Sequence, residues 1–131
     1  MSKMTNLNQV RVAFDNAGYV IIVAPAYAHT YSDGEQAGAD VLTLLDGGDI
    51  NFWDGNDYEL LGALDDDAMG RYERVYTVAA VADLLKSGRV EIADDDVWVD
   101  GCLLSGDSVS RFFRALSRVS GASGVVAGAG R

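Results

Sequence analysis

Carboxylates are the side chains with chemical capacity that this sequence concentrates most. Asp and Glu fill 20 of 131 positions, against one His and one Cys. Many of the acids fall in tight groups at turn-forming positions: Asp54, Asp57 and Glu59 around Gly55-Asn56, Asp65-Asp66-Asp67 after Leu64, and Asp94-Asp95-Asp96 between two apolar stretches. Grouped oxygen ligands are what calcium and magnesium require. A calcium loop, however, sets its ligands at every second position and closes on a bidentate Glu. None of the groups has that spacing, so neither a metal nor a cofactor is expected. Paired carboxylates also serve glycoside hydrolysis, but a chain this rich in acids supplies such pairs by chance.

His29 is the one ordinary candidate for proton transfer near neutral pH, and no Ser or Cys motif beside it suggests a nucleophile. Cys102, between Gly101 and Leu103-Leu104, reads as a buried, inert thiol. One Cys and one His cannot supply the ligand set of a zinc site. The Gly-rich stretch after residue 120 follows a helical pattern and lacks a Lys, so it does not read as a phosphate loop. Tyr27, His29 and Tyr31 alternate with Ala26, Ala28 and Thr30, so an extended backbone would set the three rings on one face. That row has the composition of a contact surface. Structural aromatics on an edge strand are the plainer reading of the same residues.

The charge balance narrows the partners. Ten basic residues against twenty acidic ones give a formal charge of −10. From Asp33 to Asp107 there are nineteen acids and four basic residues, a local excess of fifteen negative charges. The ends lean the other way through Lys3, Arg11, Arg111, Arg114, Arg118 and Arg131. Such a field repels nucleic acid and anionic lipid and attracts basic proteins. The bland counterpart is an acidic surface that serves solubility alone. The opening residues are polar with no apolar core behind them, and the apolar run at 19–28 is too short to span a bilayer. A cytoplasmic protein is expected, with no direct nucleic-acid or membrane binding.

The elements that must carry these groups follow from periodicity. Val10, Val12 and Phe14 alternate with polar or small residues, Asp15-Asn16-Ala17-Gly18 is a turn, and 19–23 is the return strand. Pro25 ends it. Ser32 or Asp33 caps a helix over about 35–45 with Ala37, Val41, Leu44 and Leu45 on one stripe, stopped by Gly47-Gly48. A second hairpin over 49–61 and, at 62–70, an acidic loop or short turn of helix follow. Thr77 caps a helix to about Lys86, and Ser87-Gly88 ends it. A third hairpin spans 89–100, Gly101 breaks the pattern, and Asp107 or Ser108 caps a last helix to about Val119. Residues 76–85 are superficially similar to the first helix of winged-helix DNA readers, but a strand-like stretch follows Gly88 where a recognition helix would be needed.

The stretch 44–52 lines up with 84–92 at an offset of forty, with Asp54 matching Asp94 and Tyr58 matching Trp98. Either an αββ unit is duplicated, or any two such units share these punctuation marks. The expected fold class is α+β: an antiparallel sheet of three β-hairpins with about three helices packed on one face, in the order ββα-ββα-ββα. A single domain over 1–120 and a Gly/Ala-rich tail over 121–131 are expected.

Together these features point to a non-enzymatic acidic binding protein that inhibits or regulates a basic protein or nucleoprotein complex. Its carboxylates at Asp54, Asp57, Glu59, Asp65–Asp67 and Asp94–Asp96 would imitate phosphates, as phage-borne antagonists of restriction or CRISPR systems do, an analogy of charge and size. The alternative is a small structural or assembly protein that self-associates, a homo-oligomer using its aromatic row and the arginines of the last helix.

Overall fold

The computed structural model describes residues 7–24, 27–48, 50 and 72–120. The first hairpin forms where the alternation of Val12 and Phe14 places it. Strand β1 (Arg11–Asp15) runs antiparallel to β2 (Val20–Ala24), with Val12 opposite Ile22 and Phe14 opposite Val20. The Asp15 side chain accepts the Ala17 N–H at 3.1 Å and holds the turn. Strand β3 (Tyr27–Tyr31) pairs with β2, and β4 (Tyr72–Thr77) with β1, giving an antiparallel sheet of order β3-β2-β1-β4. One face carries Val12, Phe14, Val20 and Ile22 into the main core, while Ala13, Ile21, Val23, Ala28 and Tyr72 form a smaller buried cluster on the other.

Among the described residues, three helices follow the caps and stops in the sequence. Helix α1 (Gly34–Leu45) starts at Asp33, whose side chain accepts the Glu35 N–H, and its end is closed by backbone bonds from Gly47 and Gly48. Helix α2 (Val78–Ser87) is capped by the Thr77 hydroxyl, which accepts the Ala80 N–H at 3.0 Å, and it ends on left-handed Gly88. Helix α3 (Asp107–Ser120) buries Val109, Phe112, Phe113 and Leu116 completely. Phe112 and Phe113 pack on Phe14 with ring centroids 5.6 and 5.7 Å apart, so the last helix lies on the first strand.

A second antiparallel sheet, order β5-β6-β7, consists of β5 (Val90–Ala93), β6 (Asp96–Val99) and β7 (Cys102–Leu104). Its inward residues Val90, Ile92, Val97, Val99 and Leu104 join the same main core.

The expected single sheet of three hairpins in the order ββα-ββα-ββα is therefore corrected. Among the described residues the order is βββ-α-β-α-βββ-α, in a four-stranded and a three-stranded sheet. Gly101 does not break the pattern: Asp100 (φ 56°) and Gly101 (φ 81°) form the two-residue loop that turns β6 into β7. A Gly tolerates this left-handed conformation and an Asp does so better than most residues, which is why Asp-Gly is a hairpin signal. Arg89 brackets that turn through two hydrogen bonds to Asp100, at 2.6 and 2.5 Å. Cys102 consequently lies at a strand start and is exposed, contrary to the expected burial. The hairpin expected at 49–61, the acidic loop at 62–70, Pro25 and the tail at 121–131 lie outside the described residues, apart from Ile50.

Helices α1 and α3 pack at unusually short range. A Cβ on Gly34 would sit 1.8 Å from the Ser108 carbonyl oxygen, and one on Gly38 would sit 2.8 Å from the Ala115 Cβ. Alanine normally favours a helix over glycine by up to about 1 kcal/mol. Here overpacking reverses that sign: Gly34→Ala and Gly38→Ala are expected to lower stability by about 1–3 kcal/mol, Gly34→Ala the more. Urea denaturation followed by circular dichroism measures this, and an alanine variant as stable as the parent would disprove the tight approach.

Candidate functional site

The β5–β6 turn presents Asp94, Asp95 and Asp96, all exposed, at the tip of the second sheet. Asp94 adopts φ 55°, so the chain reverses in two residues between Ala93 and Asp96. Helix α3 fixes the tip. The buried Ser110 hydroxyl donates to the Asp95 carbonyl oxygen at 2.5 Å, and the Arg114 guanidinium lies 3.7 Å from the Asp95 carboxylate. Asp94 and Asp96 have no ion-pair partner among the described residues, which leaves two carboxylates on a rigid turn. Of the acids expected to act together, Asp54, Asp57, Glu59, Asp65, Asp66 and Asp67 lie outside the described residues.

The aromatic row occupies β3, the edge of the four-stranded sheet. Its register sets Tyr31 opposite Val20 and His29 opposite Ile22, on the face that carries the helices. Tyr31 is buried, with its ring 4.6 Å from His29 in an edge-on arrangement, so it is a core residue and no part of a contact surface. Its hydroxyl donates to the Asp40 carboxylate on α1, which also accepts the Gln36 side-chain amide at 3.0 Å. Burial, then the hydrogen bond and charge of Asp40, hold the Tyr31 hydroxyl above the usual phenol range. His29 is partly buried, and Tyr27 contributes backbone pairing to Ala24. Tyr31 ties the edge strand to the helix layer.

The arginines of α3 turn back onto the protein. Arg111 pairs with Asp107 at 3.4 Å, Arg114 with Asp95, and Arg118 with Glu35 at 3.4 Å. An open groove of about 690 Å³ is lined by the Arg118–Glu35 pair together with Leu42, Ala115, Asp33 and Asp46. No group of three or more His, Cys, Asp or Glu among the described residues could hold a metal ion. Nor is any helix among them long and apolar enough to cross a membrane.

No protein-family model matches the chain, and neither a curated protein nor a solved structure is significantly similar to it. The geometry alone carries the functional argument. What the charge-centred reading passed over is the outward face of the second sheet, where Trp98 and Leu103 stand opposite each other, 37% and 46% exposed. The signal was present in Val97-Trp98-Val99: strand alternation sends Trp98 away from the side that its two valines bury.

The Tyr31–Asp40 contact yields a pH test. The hydroxyl ionises at higher pH folded than unfolded, so its contribution is complete below about pH 10 and is lost as pH rises beyond. Tyr31→Phe is expected to cost about 1.5–3 kcal/mol at neutral pH, typical of a hydrogen bond to a charged group. The gap between parent and variant should shrink above pH 10. Urea midpoints at pH 7 and pH 10.5 read both effects, and a constant gap would refute the linkage.

Proposed function

We propose that the protein is a non-enzymatic acidic binding module that docks on a basic, nucleic-acid-handling protein and inhibits or regulates it. Its carboxylates would stand where that partner receives phosphates. The observation that carries this reading is the disposition of charge. The net charge is −10, and the arginines of α3, the densest positive group in the chain, each contact one of the protein's own carboxylates. The cations therefore cancel locally, while Asp94 and Asp96 remain exposed on a fixed turn. Carboxylates held on rigid backbone lose little entropy on meeting a cationic partner, and a field of one sign accelerates the encounter.

Self-assembly through an acidic-to-basic contact would have to compete with these intramolecular ion pairs. A partner that normally binds phosphates would be discriminated from other proteins by its clustered Lys and Arg.

Charge reversal tests the reading. A variant with Asp65–Asp67 and Asp94–Asp96 changed to Lys should keep its circular dichroism spectrum and lose its partner. In an affinity pull-down from nuclease-treated bacterial lysate, the parent is expected to recover one nucleic-acid-binding protein or complex at low salt and to release it as salt rises. Equal recovery by the reversed variant would remove the mimicry proposal. Recovery of the bait alone, as a defined oligomer, would replace it with a self-assembling structural protein.

A further inference from the structure

Strand alternation divides the second sheet, apart from Cys102, which pairs with inward Val99 at the sheet's end yet is exposed. Val90, Ile92, Val97, Val99 and Leu104 point inward and are buried. Glu91, Ala93, Asp96, Trp98 and Leu103 point outward and are exposed. The register places Glu91 opposite Trp98, and Trp98 opposite Leu103, so an acid, an indole and an isobutyl group cross three strands in one row. Directly opposed residues have Cβ atoms about 5 Å apart, close enough for the three side chains to present one surface. Asp96 lies two residues before Trp98 on the same strand face, and Asp94 flanks it at the turn.

Among the described residues the large apolar side chains that stay substantially exposed are Tyr19, Trp98 and Leu103. Tyr19 belongs to the β1–β2 turn of the other sheet. The remaining two are cross-strand neighbours, a placement that marks a contact surface more clearly than scattered exposure does. Its chemistry selects the occupant. An indole face with carboxylates on two sides suits a guanidinium, which stacks on the ring while hydrogen-bonding to an acid. The surrounding negative charge disfavours phosphate and anionic lipid. The face measures roughly 13 Å along the strands and 10 Å across them. That is far below the area of about 800 Å² per partner that a stable protein dimer buries, so a short segment fits it better than a second copy.

We infer that the outward face of β5–β7 is a docking surface for an arginine-bearing segment of a protein partner, anchored by Trp98 and Leu103 and oriented by Glu91 and Asp96. This inference rests on the acidic-binding reading and adds the place and the side chain recognised. Indole, carboxylate and leucine stand on a backbone that the inward valines, Ser110 and the Asp100–Gly101 turn already hold, so the surface needs little ordering on contact.

The probe is a synthetic peptide of alternating Arg and Leu, compared with versions carrying Lys or citrulline in place of Arg. Trp53→Phe leaves Trp98 as the sole indole reporter of the full chain. The Arg peptide is expected to shift Trp98 emission saturably, the Lys peptide to bind several-fold more weakly, and the citrulline peptide not to bind. By calorimetry, Leu103→Ser and Glu91→Arg should each weaken the Arg peptide about tenfold or more, while Asp65–Asp67 reversal has a much smaller effect. Binding unchanged by Leu103→Ser and Glu91→Arg yet abolished by Asp65–Asp67 reversal would sink the docking face and leave the acidic-binding reading standing. Failure of the parent to bind either cationic peptide at low salt would overturn both. A parent dimer in sedimentation that Leu103→Ser dissociates would assign the face to a second copy and overturn the inference.

Discussion

The close approach of α1 and α3 is the constraint from which the rest of the architecture follows. With hydrogen in place of a side chain at Gly34 and Gly38, the α3 backbone comes near enough for Ser108 and Ala115 to touch α1 directly. The Ser108 hydroxyl then donates to the Ser32 carbonyl oxygen at 2.8 Å, fixing the start of α3 beside the start of α1. At that distance Phe112 and Phe113 both reach Phe14, and the three rings meet with centroids 5.0 to 5.7 Å apart. Aromatic pairs in such arrangements stabilise a core beyond their buried area. A wider separation would leave voids that these rings could not fill without leaving their rotamers.

Helix α3 is also the element that joins the two sheets. Its apolar residues lie over the first sheet, and its buried Ser110 holds the tip of the β5–β6 hairpin. A serine hydroxyl buried in an apolar setting needs a partner, and the Asp95 carbonyl oxygen provides one. The position of the acidic turn is thus set by a core requirement of the helix. The acidic turn and the outward Trp98 face inherit the rigidity of the main core, although both stand at the surface.

Local chemistry was legible in the sequence and strand partnership was not. The β1–β2 hairpin, the Asp33 and Thr77 caps, the left-handed Gly88 and the apolar stripe of α3 all depend on a few adjacent residues, so their signals survive without tertiary context. β3 is the edge strand with structural aromatics that the alternation of Tyr27, His29 and Tyr31 suggested, although its partner was not legible. β4 and β7 were missed for physical reasons. Tyr27–Tyr31 and Tyr72–Thr77 are sheet edges whose pairing is decided by β2 and β1, elements far from their own propensities. Cys102–Leu104 is a three-residue strand whose existence depends on reading Asp100-Gly101 as a hairpin turn. The division into two sheets follows from α3 packing between them, which no local pattern encodes. The candidate site was legible in its charge, and the described part of it, Asp94–Asp96, stands where the turn chemistry placed it. Tyr31 was misassigned because alternation gives the face of a side chain without saying whether that face meets helix or water. Trp98 shows the converse: alternation was sufficient, and attention to charge alone passed it over.

The charges and the exposed indole act at different ranges. Ion pairs at the surface contribute at most about 1 kcal/mol each to stability, so the Arg111, Arg114 and Arg118 pairs do little to hold the fold. Their larger consequence is electrostatic. Each pairing converts a cation and an anion into a short dipole whose field decays faster than that of a charge, and the surplus acids then dominate at a distance. That field extends about 8 Å at physiological ionic strength, far enough to gather and orient a cationic partner but too diffuse to distinguish one basic protein from another. Discrimination requires contacts that depend on shape and desolvation, which an indole opposite a leucine would supply to the proposed arginine-bearing segment. A surface with acids alone would bind many cationic partners weakly, whereas one with Trp98 and Leu103 alone would lack the attraction that brings the correct one close. In the proposed binding mode, their combination on a sheet held by α3 would separate capture from recognition.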